Sequence, residues 1–198
     1  MAVTTNTLTE NGTPLPGGGA RATARPDHAI RSRLTALNAF LLSGLTLWLG
    51  LVTLNNVDDF GTNKALITSM ITMGDLKDDP VRGNGLEWRA LPEAMATPAL
   101  LGVIVYEVLA VALLAWAATS MWRRARGETV SINTTQRANY ALAGFMGLFF
   151  VFLCGGMFYG YWIYIGAAQQ VHFTGLMIGL LTTVLVNLPS VTGAQKEH

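Results

Sequence analysis

Within the long apolar stretches of this chain there is only one Asp, Glu, Lys or Arg, and it is Glu107, nine positions after Pro98. At ~1.5 Å per helical residue, that offset places it ~13 Å along a helix starting at Pro98. This is near the middle of a hydrocarbon layer ~30 Å thick. A carboxyl group is costly there, so such groups turn toward the bundle interior, take hydrogen-bonding partners and mark ion or proton paths. With no second charge in these stretches to pair with it, Glu107 is expected to be a neutral, hydrogen-bonding acid. Ser43 and Thr46, at comparable depth in the first apolar stretch, are its expected partners. Three roles fit such a residue: polar glue between helices or subunits, proton or cation handling, and an ion pair with another protein.

Other residue types could carry chemistry and do so less specifically. His172, near the start of the last apolar stretch, could ligate haem or metal, but His28 and His198 lie in tails expected on the other face, so no second axial ligand is at hand. Asn55, Asn56, Asp58, Asp59 and Asn63 form an oxygen-rich cluster without the spacing and closing Glu of a calcium loop. They suit the ending of one helix and the capping of the next. Trp88-Arg89, beside Glu87, reads equally as a recognition patch and as an interfacial anchor. Cys154 is the single cysteine and excludes an intramolecular disulfide or a cysteine-based metal site. No phosphate loop, nucleophile with a paired base, metal-ligand set or basic nucleic-acid surface is present, so no catalytic residue, metal, cofactor or nucleic acid is implied.

The elements that must position these residues follow from composition. Apolar residues make up 51% of the 198 and charged ones 13%, about half the charged share of a soluble domain. The apolar residues gather in four blocks, 34–54, 98–122, 140–162 and 170–188, each near the ~20 residues that one helical crossing takes. The fold class is therefore an all-α membrane protein, a bundle of four transmembrane helices over 27–190. Pro98 suits a first helical turn, and Pro189 marks the end of the last helix. Residues 1–26, rich in Thr, Gly, Pro and Asn, read as a disordered tail, and 191–198 as a second tail. The first block is expected to remain as a span, since NNVDDFG after it offers no small-x-small cleavage site. In the third block, Gly144, Gly147, Gly155, Gly156 and Gly160 permit close helix approach and suggest a central helix.

Charge placement sets the expected topology. Arg21, Arg25, Arg31 and Arg33 precede the first block, and Arg123, Arg124, Arg126 and Arg137 face only Glu128 in the second connection. The 43-residue connection 55–97 instead holds four basic and seven acidic residues. The positive-inside rule then puts both termini in the cytoplasm and the long connection outside, with the chain spanning the cell (inner or plasma) membrane. Phe158, Tyr159, Tyr161, Trp162 and Tyr164 fit an outer interfacial belt. Within the connection, apolar positions 66, 67, 70, 71 and 73 approximate helical spacing and predict a short amphipathic helix over 62–73, so the outer loop is expected to be structured. A turn-rich, charged excursion follows over 76–85.

Asn55-Asn56, Asp59 and Asn63, the segment EWRALPEAMATPAL over 87–100, the in-membrane Glu107 and Gln169-Gln170 together resemble the bacterial small integral membrane proteins grouped as domain of unknown function 2165. The likeness covers about 34–188 and implies four spans and little about activity. One departure is that relatives carry His soon after the Pro of the second helix, where this chain has Leu100-Leu101-Gly102. The functional expectation is an accessory or interaction subunit, with the bilayer and a membrane protein or a second copy as partners. Asn55, Asn56, Asp59, Asn63, Trp88 and Arg89 are its contact candidates. A small proton- or cation-coupled transport component using Glu107 is the alternative, and a membrane enzyme or haem protein the third.

Overall fold

The computed structural model describes residues 26–77, 79–82, 85–130 and 133–194, with side chains from 32 to 188 among them. The expected tail 1–26 thus lies outside the described residues but for Pro26, as do Asp78 and residues 195–198. Every described element is helical: α1 (Pro26–Asp58), α2 (Phe60–Thr72), α3 (Gly74–Lys77), α4 (Ala96–Ala125), α5 (Thr134–Phe158) and α6 (Gly166–Ala194), with short 3-10 turns at Glu87–Arg89, Glu93–Met95 and Tyr161–Ile163. Among the described residues, four stretches are long and apolar enough to cross a membrane, Ser32–Asp58, Glu93–Ala125, Thr134–Phe158 and Gly166–Leu188.

Seven-residue spacing explains how these helices find one another. On α1 the buried or half-buried Leu42, Leu49 and Asn56 recur every seventh residue, and on α4 so do the buried Leu100, Glu107, Leu114 and Met121. Such a seam keeps facing a partner helix along its whole length. The two seams meet antiparallel. Trp122 Nε1 donates to Ser43 Oγ at 3.0 Å near one end of the pair, and Asn56 Nδ2 reaches Glu107 near the other. Helix α5 packs on both α4 and α6, and the shared core includes Leu42, Leu49, Leu114, Leu142 and Phe145. Reciprocal amides, Asn139 to Asn187 at 3.1 Å and Asn187 to Asn139 at 2.8 Å, join α5 to α6 near their basic-turn end.

Several boundaries differ from those expected. Helix α1 passes the hydropathy limit at Leu54 and ends at Asp58, because Thr53 and Asn56 are polar yet stay on its inward seam. Helix α5 starts at Thr134, where the Asn133 side chain accepts from the amides of Thr135 and Gln136 at 3.1 and 3.3 Å, a capping arrangement. It stops at Phe158. The turn is made at Gly160, whose φ of +67° is left-handed, so Tyr161, Trp162 and Tyr164 belong to the connection rather than to the third span. Pro189 does not end α6, which runs on to Ala194. A proline there forgoes one backbone bond without stopping the helix.

The connection 55–97 is largely built rather than loose. Helix α2 is two residues longer at its start than the pattern 62–73 predicts. It ends on Met73 in the left-handed region (φ 54°), which buries Met73 alongside Ile71 and Leu76. Further on, Asp79 organises a tight turn. Its Oδ1 accepts from the amides of Val81 and Arg82 at 2.9 and 2.7 Å, and its Oδ2 pairs with Arg82 Nε at 2.6 Å. These bonds to the ionised form, the Arg82 amide foremost, hold the Asp79 carboxyl down at about 2. A depressed carboxylate supports its turn fully above the ordinary carboxylate range and loses that support as pH falls through the folded value. Amide shifts of Val81 and Arg82 in NMR spectra are therefore expected to titrate with a midpoint near pH 2. A midpoint at the ordinary Asp value, about 4, would show that the turn does not hold.

Candidate functional site at the Glu107 seam

Glu107 is 1% exposed, and its two oxygens each lie 2.9 Å from Asn56 Nδ2. Thr53 is a second hydrogen-bonding neighbour of the carboxyl. Its own hydroxyl hydrogen lies on the Leu49 carbonyl at 2.8 Å, so toward Glu107 its oxygen is left to accept. Ser43 and Thr46 are not the partners. Ser43 donates to the Ala39 carbonyl at 2.8 Å and accepts from Trp122, while Thr46 donates to the Leu42 carbonyl at 2.7 Å. Register accounts for the difference. Glu107 lies opposite Asn56, two residues before α1 ends, so the acid sits level with the last turn of α1 instead of at mid-bundle.

The Asn/Asp cluster divides between two tasks. Asp59 caps α2 through the Thr62 amide at 3.4 Å, and Asn63 Nδ2 donates to the carbonyls of Asn55 and Asp59 at 3.3 and 2.9 Å. These bonds join the end of α1 to the start of α2. Asn56 alone turns inward to the acid. Among the described residues no cluster of three His, Cys, Asp or Glu is placed to hold a metal.

Arg89 ties the long connection to α5. Its guanidinium donates to the Phe158 carbonyl at 3.0 Å and lies 5.2 Å from the ring centres of both Trp88 and Phe158. A cation on the last carbonyls of a helix meets the negative end of its dipole. Trp88 is well exposed, packed edge-on against Phe158 with centroids 6.2 Å apart.

Sequence reasoning missed a second polar pair. His172 Nδ1 lies 2.8 Å from the Tyr161 hydroxyl, and the His172 ring sits 4.7 Å from that of Phe152. Burial pushes the Tyr161 phenol up to about 12, which keeps it protonated and able to donate. At the opposite end, Arg137 lies 4.3 Å above the Trp116 ring and donates to Ser120 Oγ at 2.5 Å, and Arg124 donates to Thr134 Oγ1 at 2.9 Å. Heptad spacing was the available signal for Asn56. For the Tyr161–His172 pair no local signal exists, since the turn at Gly160 brings the two together.

Four apolar helices joined by antiparallel seams, with one buried acid clamped between two of them, define a small polytopic integral membrane protein. The model of a family described as predicted small integral membrane protein, domain of unknown function 2165, matches residues 34–189, and the chain belongs to that family. No curated protein and no solved structure matches it.

Proposed function

We propose that this protein is a non-conducting interaction subunit of an inner-membrane complex, with both termini in the cytoplasm and the α2–α3 cap outside. The observation that carries this reading is the clamp on Glu107. Asn56 engages both of its oxygens, and toward the basic turn the seam continues through Leu49, Ala110, Leu114, Leu45 and Ala117, all buried and apolar. A proton path needs successive exchangeable groups; these five seam side chains carry none, and the hydroxyl of the adjoining Thr46 is bonded to the Leu42 carbonyl of its own helix, so Glu107 serves as a fastener of α1 to α4. The cap, tied down by Arg89 and by the Leu91 amide on the Ile71 carbonyl at 2.8 Å, supports the interaction role because it offers an ordered polar surface around Lys64, Asp75 and Glu93.

Orientation rests on the arginines of the 123–137 turn against the acidic excess of 55–97. In a Cys154→Ala background, Val81→Cys is expected to react with an impermeant thiol reagent on intact cells and Arg126→Cys only after permeabilisation. The reverse pattern would invert the assignment. For function, mild-detergent purification is expected to retain a membrane protein in fixed stoichiometry with wild type and to lose it with Lys64→Glu. Reconstituted liposomes are expected to leak protons no faster than empty ones. A pH-driven flux that Glu107→Gln abolishes would replace this reading with the transport one.

A further inference from the structure

Helix α4 begins eleven residues before Glu107, whereas α1 ends two residues after Asn56. The start of α4 therefore overshoots α1 by ~14 Å, taking ~1.5 Å per residue, and α2 packs across the overshoot. The four bundle helices do not close beneath α2. They leave a cleft of about 660 Å³, within the range of small-molecule sites. Leu66, Met95 and Val151 at its edge are each roughly half-exposed. In a membrane protein such apolar edges open toward lipid tails rather than water.

The polar groups of this cleft are few and opposed. On one wall stand Asn56 and Glu107, on another stand Tyr161 and His172, and Asn63 and Tyr159 complete the polar lining. No Lys or Arg lines it, and the two carboxyl oxygens of Glu107 are already engaged by Asn56, so neither a phosphate nor an ammonium head finds a counter-charge inside. A neutral head does find partners. In the tautomer in which His172 Nδ1 accepts from the Tyr161 hydroxyl, the imidazole hydrogen sits on Nε2, which has no hydrogen-bond partner among the described residues. The Asn56 amide oxygen is likewise without one and can accept.

We propose that the cleft binds a neutral, tailed carbonyl compound drawn from the bilayer, of the prenylated-quinone kind, with a head oxygen accepting from His172 Nε2 and the tail laid between α2 and the start of α4. The geometry requires binding only and no redox step. It is independent of whether the cap docks a partner protein.

The test uses the full chain in nanodiscs of one synthetic phosphatidylcholine, with a decyl-substituted benzoquinone as probe and decylbenzene as its carbonyl-free counterpart. Wild type is expected to bind the quinone saturably. His172→Phe, which keeps a ring and loses the donor, weakens that binding about tenfold, near the upper range of one hydrogen bond. Decylbenzene binding by the same variant stays unchanged and reports that the cleft is intact. His172→Gln restores an N–H donor and holds quinone affinity within about threefold of wild type. Val103→Trp fills the cleft and removes binding of both probes. Equal affinity for the two probes with no effect of His172→Phe would make the cleft a crevice for acyl chains and overturn the proposal. Absence of saturable quinone binding would overturn it as well.

Discussion

Replacing either member of the Asn56–Glu107 pair by leucine is expected to destabilise the purified protein by roughly 1–3 kcal/mol, and replacing both by much less than the sum. Glu107→Leu leaves the Asn56 amide hydrogens at a buried helix contact with no acceptor. Asn56→Leu leaves a 1%-exposed acid without its donor. In the double variant an apolar pair continues the seam of Leu42 and Leu49 against Leu100 and Leu114, so no polar group is stranded. The coupling, read from the melting temperatures of the four proteins, should exceed ~0.5 kcal/mol. Glu107→Gln separates this role from a charged one. Its carbonyl accepts from Asn56, and its own N–H can donate to the Thr53 oxygen, whose hydrogen already lies on the Leu49 carbonyl. Melting close to wild type is therefore expected for Gln. Strictly additive losses in the leucine cycle would mean that the contact fastens nothing. A Gln variant as unstable as Leu would show that an ionised carboxylate is required.

Much of the architecture follows from the rule that buried backbone must pair with itself in lipid. Four apolar blocks near ~20 residues admit little besides four helices, and the amphipathic stretch after the first block forms α2 much as its spacing implies. Hydropathy fails where polarity and burial part company. At Leu54 the apolar run ends, yet α1 continues to Asp58, because Asn56 is needed on the inside. The same error of length made Ser43 and Thr46 look level with Glu107. Counting sevens from Leu42 through Leu49 reaches Asn56, and from Leu100 through Glu107 reaches Leu114, so the pairing was encoded in a period that hydropathy averages away. The cleft was beyond reach by any local pattern. It arises from the unequal ends of α1 and α4 and from where the turn at Gly160 sets Tyr161, both of which are tertiary.

Glycine placement shows the same division between pattern and packing, and it yields the second large effect. The glycines of α5 suggest a closely approached helix, and Gly147 and Gly156 are so approached, by the Tyr106 hydroxyl and by Gln169 and the Tyr161 ring, while the Phe145 and Phe149 rings of the core are received by α6. A Cβ on Gly175 would fall on the Phe149 ring carbons Cε1, Cζ and Cε2. That ring cannot swing aside, since Trp48 stacks on it at 6.0 Å and Phe145 meets it edge-on at 4.9 Å. Gly175→Ala is therefore expected to lower stability by about 1–3 kcal/mol, the usual range for forcing a well-packed core apart. Gly179→Ala should cost less, because its Cβ meets the flexible Met146 side chain at 2.6 Å and the edge of Phe145 at 3.1 Å. At Gly50 of α1 nothing lies within 4 Å. There alanine should add roughly 0.5–1 kcal/mol by stiffening the helix interior. Melting of the three variants in one detergent checks the order. A Gly175→Ala protein as stable as Gly50→Ala would mean that Phe149 is not held between α1 and α6, and the packing that closes the bundle on that side would have to be redrawn.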